Sequence, residues 1–293
     1  MFKGSIVAIV TPMDARGDLD WEALDALVEW HVREGTRGIV PVGTTGESAT
    51  LSIDENVRVV ERVVRAAGGR VPVIAGTGAN NTREALEMTR AARSAGADAS
   101  LQVTPYYNRP TQEGLYRHFA TIAEDVDLPM VLYNVPKRTG CDLLAETVAR
   151  LAPLENVVAI KEACGQVERV TAIHEACGAP FPVLSGEDPI NVAMMRAGAV
   201  GAISVTANVA PARMAAMLES ALAGDWTTAE AEEAALAALH EALFVESNPI
   251  PVKWALHEMG RIGTGIRLPL TPLAEPLRDG LRAVLGRYGL LGV

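Results

Sequence analysis

Short apolar segments rich in β-branched residues recur along the chain, and this recurrence restricts the fold more than any other feature. Most of them are continuously apolar rather than alternating, which is typical of strands covered on both faces of a sheet. The segments are SIVAIV from Ser5, GIVPV from Gly38, VPVIAG from Val71, ASLQVT from Ala99, PMVLYNV from Pro129, VVAIK from Val157, FPVLSG from Phe181 and VGAISV from Val200. We therefore predict eight buried strands.

Helical patterns lie between these segments. WEALDALVEWHVREG ends in a glycine stop, and NTREALEMTRAARSAGA opens with an Asn/Thr cap. The period of about 20 to 35 residues fits one strand followed by one helix. Eight such units predict an α/β fold, a (β/α)8 TIM barrel over residues 1–224. The alternative is a doubly wound open sheet, which needs fewer strands or a reversal of the strand order.

The last part of the chain, residues 225–293, shows helical patterns without any strand pattern. The segment TTAEAEEAALAALHEALF predicts a helix with a capping box between Thr227 and Glu230. Pro249 and Pro251 break this helix and start another, and further prolines precede a last amphipathic stretch, LRDGLRAVLGRYG. We predict a helical appendage that packs on the barrel as a second domain.

The composition excludes several classes of function. The chain has 293 residues, 36 of them acidic and 26 basic, for a formal net charge of −10. Because its basic residues do not cluster, we predict binding neither to nucleic acid nor to anionic membranes. No apolar run approaches the roughly 18 residues that span a bilayer, and the apolar N-terminal segment is too short for a signal peptide. Cys141, Cys164 and Cys177 lack metal-ligand spacing, so we predict reduced thiols and a cytoplasmic protein.

Lys161 stands at the end of the sixth predicted strand, where a TIM barrel carries its chemistry. One interpretation is a lysine that extends to the rim or pairs with Glu162 or Glu187. The other is a Schiff-base nucleophile, since burial disfavours the charged form of an amine. The apolar run before Lys161 and the hydroxyl groups at neighbouring strand ends favour the nucleophile. No histidine stands at any strand end, so we predict no metal site and no cofactor.

Other polar residues follow neighbouring strands. Tyr133 is either a rim tyrosine or an acid/base beside the lysine, with Thr44 and Tyr107 as candidates for a proton path. The GTTGES segment is either a tight turn or, with Thr45, a site for a small anion. It is not a P-loop, because the GK[ST] ending is missing. Arg138 is either a surface arginine or a carboxylate ligand.

Seven motifs together carry a resemblance to a known family. They are GTTGESATL, GTGAN, TPYYNRPTQEGLYRHF, YNVPKRTGCDL, IKEACG, SVTANV and NPIPVKWAL. The chain resembles the dihydrodipicolinate synthase (4-hydroxy-tetrahydrodipicolinate synthase) family, a branch of the lysine-dependent pyruvate aldolases to which N-acetylneuraminate lyase also belongs. The resemblance extends nearly from end to end and includes the helical tail.

The resemblance implies a Schiff-base lyase. It would condense pyruvate with L-aspartate 4-semialdehyde to 4-hydroxy-tetrahydrodipicolinate, on the diaminopimelate route to lysine. Lys161 would form the imine and Tyr133 would be the acid/base, with Thr44 and Tyr107 completing a proton relay. The implied binding residues are Thr45, Gly186 and Ile203 for pyruvate and Arg138 for the semialdehyde.

The resemblance also implies a homotetramer made of two tight dimers, in which the residue matching Tyr107 reaches in from the neighbouring subunit. Members of the family that are inhibited by lysine bind it at the dimer interface. The matching residues here are Ser48, Ala49, Asn80, Glu84 and Tyr106. Two histidines found nearby in lysine-sensitive members correspond to Ile53 and Asn56, so we predict weak or absent inhibition.

Two other functions compete with this one. The first is a sibling activity, N-acetylneuraminate lyase or a keto-deoxy-sugar aldolase, which shares the lysine and the tyrosine but takes a polyol aldehyde. Arg138 favours an acidic second substrate instead. The second is a barrel that binds a small keto acid without converting it, and the joint presence of Lys161, Tyr133 and Thr44 argues against it.

Overall fold

A computed structural model describes residues 2–292, and its centre is a barrel of eight parallel strands. The strands are β1 (Gly4–Ala8), β2 (Gly38–Val40), β3 (Ile74–Gly76), β4 (Ala99–Val103), β5 (Met130–Asn134), β6 (Val157–Glu162), β7 (Val183–Ser185) and β8 (Gly201–Ser204). Neighbouring strands follow the order β2-β1-β8-β7-β6-β5-β4-β3. A parallel bridge between Ile39 and Val73 joins the ends of this order, so the sheet nearly closes. The predicted barrel is confirmed, and the open-sheet alternative is wrong.

Helices connect successive strands around the outside of the barrel. They are α1 (Trp21–Arg33), α2 (Ile53–Ala67), α3 (Thr82–Ser94), α4 (Gln112–Asp125), α5 (Pro136–Thr139), α6 (Ala145–Leu151), α7 (Glu168–Cys177), α8 (Asn191–Arg196) and α9 (Pro211–Leu222). Side chains define several of their starts: Asp20 accepts a hydrogen bond from the Ala23 amide at 3.0 Å, and Ser52 forms a reciprocal capping box with Glu55. Such caps satisfy amides that have no partner inside the helix.

The interior of the barrel has an apolar core separate from the larger one between strands and helices. It consists mainly of small and branched side chains: Ile6, Ala8, Val40, Ile74, Ala99, Leu101, Val131, Tyr133, Val135, Ala159, Ala163, Leu184 and Ile203. Because residues two apart in a strand share one face, Lys161 points to the same inner side as Ala159 and Ala163. The Lys161 side chain therefore points into this apolar interior.

Three helices complete the chain: α10 (Trp226–Ala242), α11 (Ile250–Glu258) and α12 (Glu275–Arg287). Their buried side chains, among them Leu236 and Leu281, belong to the same core as the helices of the barrel. The predicted helical appendage is confirmed, and its division from the barrel at residue 224 stays a prediction. Within residues 2–292, no helix combines the length and apolar character needed to cross a membrane.

The start of α10 differs from the prediction. The cap is Asp225, whose carboxylate accepts a hydrogen bond from the Thr228 amide at 3.1 Å. The predicted capping box at Thr227 is wrong, because Asp225 caps well and brings Trp226 into the first turn. There the Trp226 indole packs against the Arg196 guanidinium, 4.7 Å from the ring centre.

Candidate active site

Lys161 lies inside the mouth of the barrel and is only 6% exposed. The register of β5 and β6 pairs Tyr133 directly with Lys161, and the Lys161 Nζ lies 4.4 Å from the centre of the Tyr133 ring. Within residues 2–292, Lys161 forms no ion pair: Glu162 lies 3.9 Å from Arg169 and Glu187 lies 4.0 Å from Lys137. A lysine that extends to the rim does not fit this burial.

A polar network lies behind this pair, on the outer face of the same two strands. The Asn134 amide donates to both oxygens of the Glu162 carboxylate at 3.1 Å, and Arg169 approaches that carboxylate at 3.9 Å. Burial raises the pKa of Glu162, and Asn134 and Arg169 oppose this effect. Since Asn134 follows Tyr133 and Glu162 follows Lys161, the bond fixes the two reactive side chains relative to each other.

The GTTGES segment forms a tight turn directly after β2. Thr44 is half-buried and Thr45 is buried. Gly46 is required there, since a Cβ on it would lie 2.8 Å from the Val42 nitrogen. The Thr11 hydroxyl donates to the Gly46 carbonyl at 2.7 Å, which holds the turn against the loop after β1. The turn therefore presents both threonines at the carboxyl end of the barrel.

A buried ion pair anchors this turn to the C-terminal helices. The Lys253 ammonium of α11 bonds to the Glu47 carboxylate and donates to the Thr11 carbonyl at 3.0 Å. The Arg267 amide donates to the second Glu47 oxygen at 3.3 Å. Burial lowers the pKa of Lys253, and the negative charge of Glu47 opposes this. The pair joins the appendage to the loop that carries Thr45.

Replacing Lys253 with methionine is expected to destabilise the fold by about 3 to 5 kcal/mol, because it leaves the Glu47 carboxylate charged, buried and unpaired. The midpoint of urea denaturation, followed by circular dichroism, measures the change. The double variant Glu47→Gln, Lys253→Met is the control, and it should recover most of the loss. A single variant as stable as the parent would contradict the strength assigned to this pair.

Two further candidates lie in the interior of the barrel. A Cβ on Gly186 would lie 2.9 Å from the Lys161 Cε, so a larger residue there would displace the lysine. Ile203 of β8 is buried in the inner core. Glu187 follows Gly186 in the chain and is half-buried. Burial raises the pKa of its carboxyl group, and the positive charge of Lys137 opposes this effect.

Arg138 and Tyr107 lie at the rim and not in the interior. Arg138 is in α5, and its Nη2 donates to the Asn248 carbonyl at 3.1 Å. The Tyr107 amide donates to the Thr139 carbonyl at 3.3 Å, yet its side chain is 90% exposed and its φ is 72°. A tyrosine adopts this left-handed backbone conformation only at a cost.

The predicted hydroxyl relay is only partly assembled. Tyr133 is buried beside Lys161 and Thr44 is half-buried in the turn after β2, whereas Tyr107 points away from the interior of its own barrel. Within residues 2–292, no hydrogen bond joins any two of these three hydroxyl groups. One chain thus supplies the lysine, the tyrosine and the threonines of a site, and leaves Tyr107 in solvent.

The residues matching the lysine pocket form two groups. Asn80 donates from its amide to the Tyr106 carbonyl at 3.2 Å. Burial, followed by the negative charge of Glu84, raises the pKa of the Tyr106 phenol, so these three residues lie together. Ser48 and Ala49 lie in a 3₁₀ turn after β2, and in the described part of the chain no hydrogen bond joins them to the first group.

The structure gives no support for a metal centre. Across residues 2–292, no three His, Cys, Asp or Glu side chains are grouped so that they could hold a metal ion.

A (β/α)8 barrel with a buried lysine beside a tyrosine at the carboxyl ends of adjacent strands is equipped to form a Schiff base with a keto substrate, which is the chemistry of the Schiff-base lyases. The family model described as "Dihydrodipicolinate synthetase family" matches residues 1–287. The chain belongs to this family. The 4-hydroxy-tetrahydrodipicolinate synthase of Alcanivorax borkumensis is 59% identical over 293 residues, which is 100% of both chains. That of Pseudomonas savastanoi is 56% identical over 291 residues, 99% of this chain and 100% of the relative.

A solved structure agrees with these matches. The crystal structure of the chloride-inhibited dihydrodipicolinate synthase of Acinetobacter baumannii, complexed with pyruvate, superposes with a TM-score of 0.97. It is 55% identical in sequence and covers 99% of this chain and 100% of its own. The family resemblance predicted from the motifs is confirmed.

Sequence reasoning missed the contribution of the C-terminal helices to the site. Asn248 and Lys253 both lie in the motif NPIPVKWAL, which carried part of the resemblance. The motif places them at a helix start but does not show that this helix reaches the GTTGES turn. Their partners, Thr45 and Glu47, lie 203 and 206 residues earlier in the chain.

Proposed function

We propose that the protein condenses pyruvate with L-aspartate 4-semialdehyde through an imine on Lys161 and releases 4-hydroxy-tetrahydrodipicolinate. The observation that carries this proposal is the buried Lys161 amine, which lies 4.4 Å from the centre of the Tyr133 ring and forms no ion pair within residues 2–292. Family membership supports the choice of substrates, since the relatives carry the name of this synthase.

The reaction follows from the chemistry of an imine. The Lys161 amine attacks the keto carbon of pyruvate, a C–N bond forms, and the keto oxygen leaves as water after protonation by the Tyr133 hydroxyl. The protonated imine then draws electrons from the adjacent methyl group, which gives a proton to the Tyr133 phenolate, and the adduct becomes an enamine. Its methylene carbon attacks the aldehyde, so that a C–C bond forms and the aldehyde oxygen becomes a hydroxyl group. The amine of the second substrate finally attacks the imine carbon, closes the ring and frees Lys161.

The binding roles follow from charge and position. We assign the pyruvate carboxylate to Thr45 and the backbone of the GTTGES turn, and assign Gly186 and Ile203 to the walls around the imine. Arg138 at the rim is the cation for the carboxylate of the semialdehyde, since a guanidinium binds a carboxylate through two parallel hydrogen bonds. Thr44 passes protons between Tyr133 and the entrance.

The exposed position of Tyr107 also bears on how copies of the chain assemble. A tyrosine that is 90% exposed and has a φ of 72° is unfavourable in an isolated chain. We propose that Tyr107 enters the site of a second copy of the chain, in a tight dimer that pairs into a tetramer. We also place the protein in the cytoplasm, without nucleic-acid or membrane partners.

Borohydride trapping tests the proposed reaction. Reduction in the presence of pyruvate should convert the imine to a stable secondary amine, and peptide mass spectrometry should locate the added mass on Lys161. Activity is then compared with L-aspartate 4-semialdehyde and with N-acetylmannosamine. Turnover of the semialdehyde alone is expected. Turnover of the sugar would establish the sibling aldolase, and trapping without turnover of either substrate would establish a keto-acid-binding protein.

Inhibition by lysine is expected to be weak or absent. The Asn56 NH₂ group already donates to the carbonyls of Ser48 at 3.3 Å, Leu51 at 3.4 Å and Ser52 at 3.0 Å, so this group is not available to a ligand. Ile53 places an exposed apolar side chain on the same helix. Initial rates measured at increasing lysine concentration check this, with threonine as a control amino acid. A sub-millimolar inhibition constant would refute the prediction.

A further inference from the structure

Asn248 joins the C-terminal helices to the turn that carries Thr45. It stands just before α11 and is 5% exposed. Its Nδ2 donates a hydrogen bond to the Thr45 Oγ1 at 3.0 Å, across 203 residues of sequence. The Lys253–Glu47 ion pair, one helical turn further along, holds the same helix against the same turn. The two contacts make the position of Asn248 relative to Thr45 well defined.

This bond determines which way the Thr45 hydroxyl group points. A hydroxyl has one hydrogen to donate and two lone pairs that accept. Because the Asn248 N–H occupies one lone pair and cannot itself accept, the hydroxyl hydrogen must point elsewhere. Within residues 2–292, the Thr45 hydroxyl donates to no acceptor. A buried donor without an acceptor is unfavourable, and an anionic ligand oxygen would satisfy it with a strong, charge-assisted bond.

Asn248 also contacts Arg138, the residue expected to bind the carboxylate of the semialdehyde, but through its backbone and not its side chain. The Asn248 backbone carbonyl accepts a hydrogen bond from the Arg138 Nη2 at 3.1 Å. Substitution of the Asn248 side chain therefore alters the contact with Thr45 and leaves the contact with Arg138 in place. A substitution at Asn248 can therefore affect the binding of pyruvate without affecting the binding of the semialdehyde.

We propose that Asn248 is a positioning residue that makes the Thr45 hydroxyl a hydrogen-bond donor toward the carboxylate of the bound keto acid. This inference rests on the proposed function, which assigns that carboxylate to Thr45. Asn248 does not touch the substrate; it acts by occupying the acceptor side of the hydroxyl. An amide is suited to this role because its NH₂ group can only donate.

Asn248→Asp tests the proposal with a side chain of nearly the same shape. An aspartate accepts from the Thr45 hydroxyl, so the hydrogen turns away from the ligand, and its charge repels the pyruvate carboxylate. We expect the KM for pyruvate to rise about 30- to 100-fold, as for a lost hydrogen bond to a charged group. The KM for the semialdehyde should change less than about 3-fold, since the backbone contact with Arg138 persists.

Three further variants make the test specific. Asn81→Asp adds the same charge at an exposed position and retains the cap of α3, so it should leave both KM values unchanged. In a Thr45→Val background, Asn248→Asp should raise the KM for pyruvate by no more than about 3-fold, because the hydroxyl through which Asn248 acts is absent and only the repulsion by the new charge remains. If thermal melting shows that Asn248→Asp does not fold, Asn248→Ala replaces it, with an expected rise of about 5-fold that also disappears in the Thr45→Val background.

The KM values of these variants decide whether Asn248 acts through Thr45. A selective rise in the KM for pyruvate that depends on Thr45 supports the proposal. An unchanged KM for pyruvate, an equal rise for both substrates, or a rise of the same size in the Thr45→Val background overturns it. Failure of the proposed function would be seen separately, as parent protein that forms no imine with pyruvate.

Discussion

Lys161→Ala is expected to lower kcat by about 10⁴-fold or more, because removing the nucleophile removes the whole covalent route. Treatment with pyruvate and borohydride should then leave the mass of the protein unchanged. The fold should persist, since Lys161 forms no ion pair with Glu162 or Glu187 that its loss would break. Steady-state rates and intact-mass measurements on the same preparation check both results.

Two matched variants separate the amine from its charge. Lys161→Arg retains a cation inside the barrel but cannot form an imine, so it should be as inactive as the alanine variant. Lys137→Ala removes an exposed lysine from the mouth of the barrel and should still be trapped on Lys161. Trapping that survives in Lys161→Ala, at any other side chain, would contradict the assignment of the nucleophile.

The barrel could be predicted from the sequence because its information is local. Each buried strand is a short apolar run, and each of the eight predicted segments overlaps one strand of the structure. The predicted ends of the strands are less accurate: β3 begins at Ile74, although the apolar run begins at Val71. Apolar residues before a strand are also buried when the chain approaches the barrel, so the pattern marks the core and not the first hydrogen bond of the ladder.

The positions of Lys161 and Tyr133 could also be predicted, since a barrel places the ends of its strands together at one rim. Their direct pairing depends on the register of β5 and β6, which the sequence does not state. The contacts of Thr45 with Asn248 and of Glu47 with Lys253 were not predictable, because they depend on the path of the C-terminal helices over that rim. Each pair consists of ordinary polar residues with no local pattern that links them.

The orientation of the Tyr107 side chain could not be predicted, for a different reason. The motif TPYYNRP places it at the correct rim, but whether its ring turns inward depends on the conformation of the loop, and here its φ is 72° and its side chain is 90% exposed. Within residues 2–292 the Tyr107 hydroxyl forms no hydrogen bond, so neither local sequence pattern nor intrachain packing defines what it contacts. Its role in the relay stays a prediction.

Tyr133→Phe is expected to lower kcat by about 10²- to 10³-fold, the usual contribution of a general acid–base group. The change removes only the hydroxyl group. The ring that packs 4.4 Å from the Lys161 Nζ remains, so the lysine keeps its position. Imine formation should therefore still occur, only more slowly, and borohydride should trap the same amount of pyruvate on Lys161 after long incubation.

The rate of trapping gives the sharper measurement, because it isolates proton transfer during loss of water from the later steps. Tyr116→Phe is the matched control: it deletes a phenol from a half-buried tyrosine of α4, whose ring packs 4.0 Å from the Arg150 guanidinium. It should be trapped as fast as the parent. If Tyr133→Phe matched the parent in both trapping rate and kcat, Tyr133 would be part of the wall of the site and the proton would have to come from Thr44 or from water.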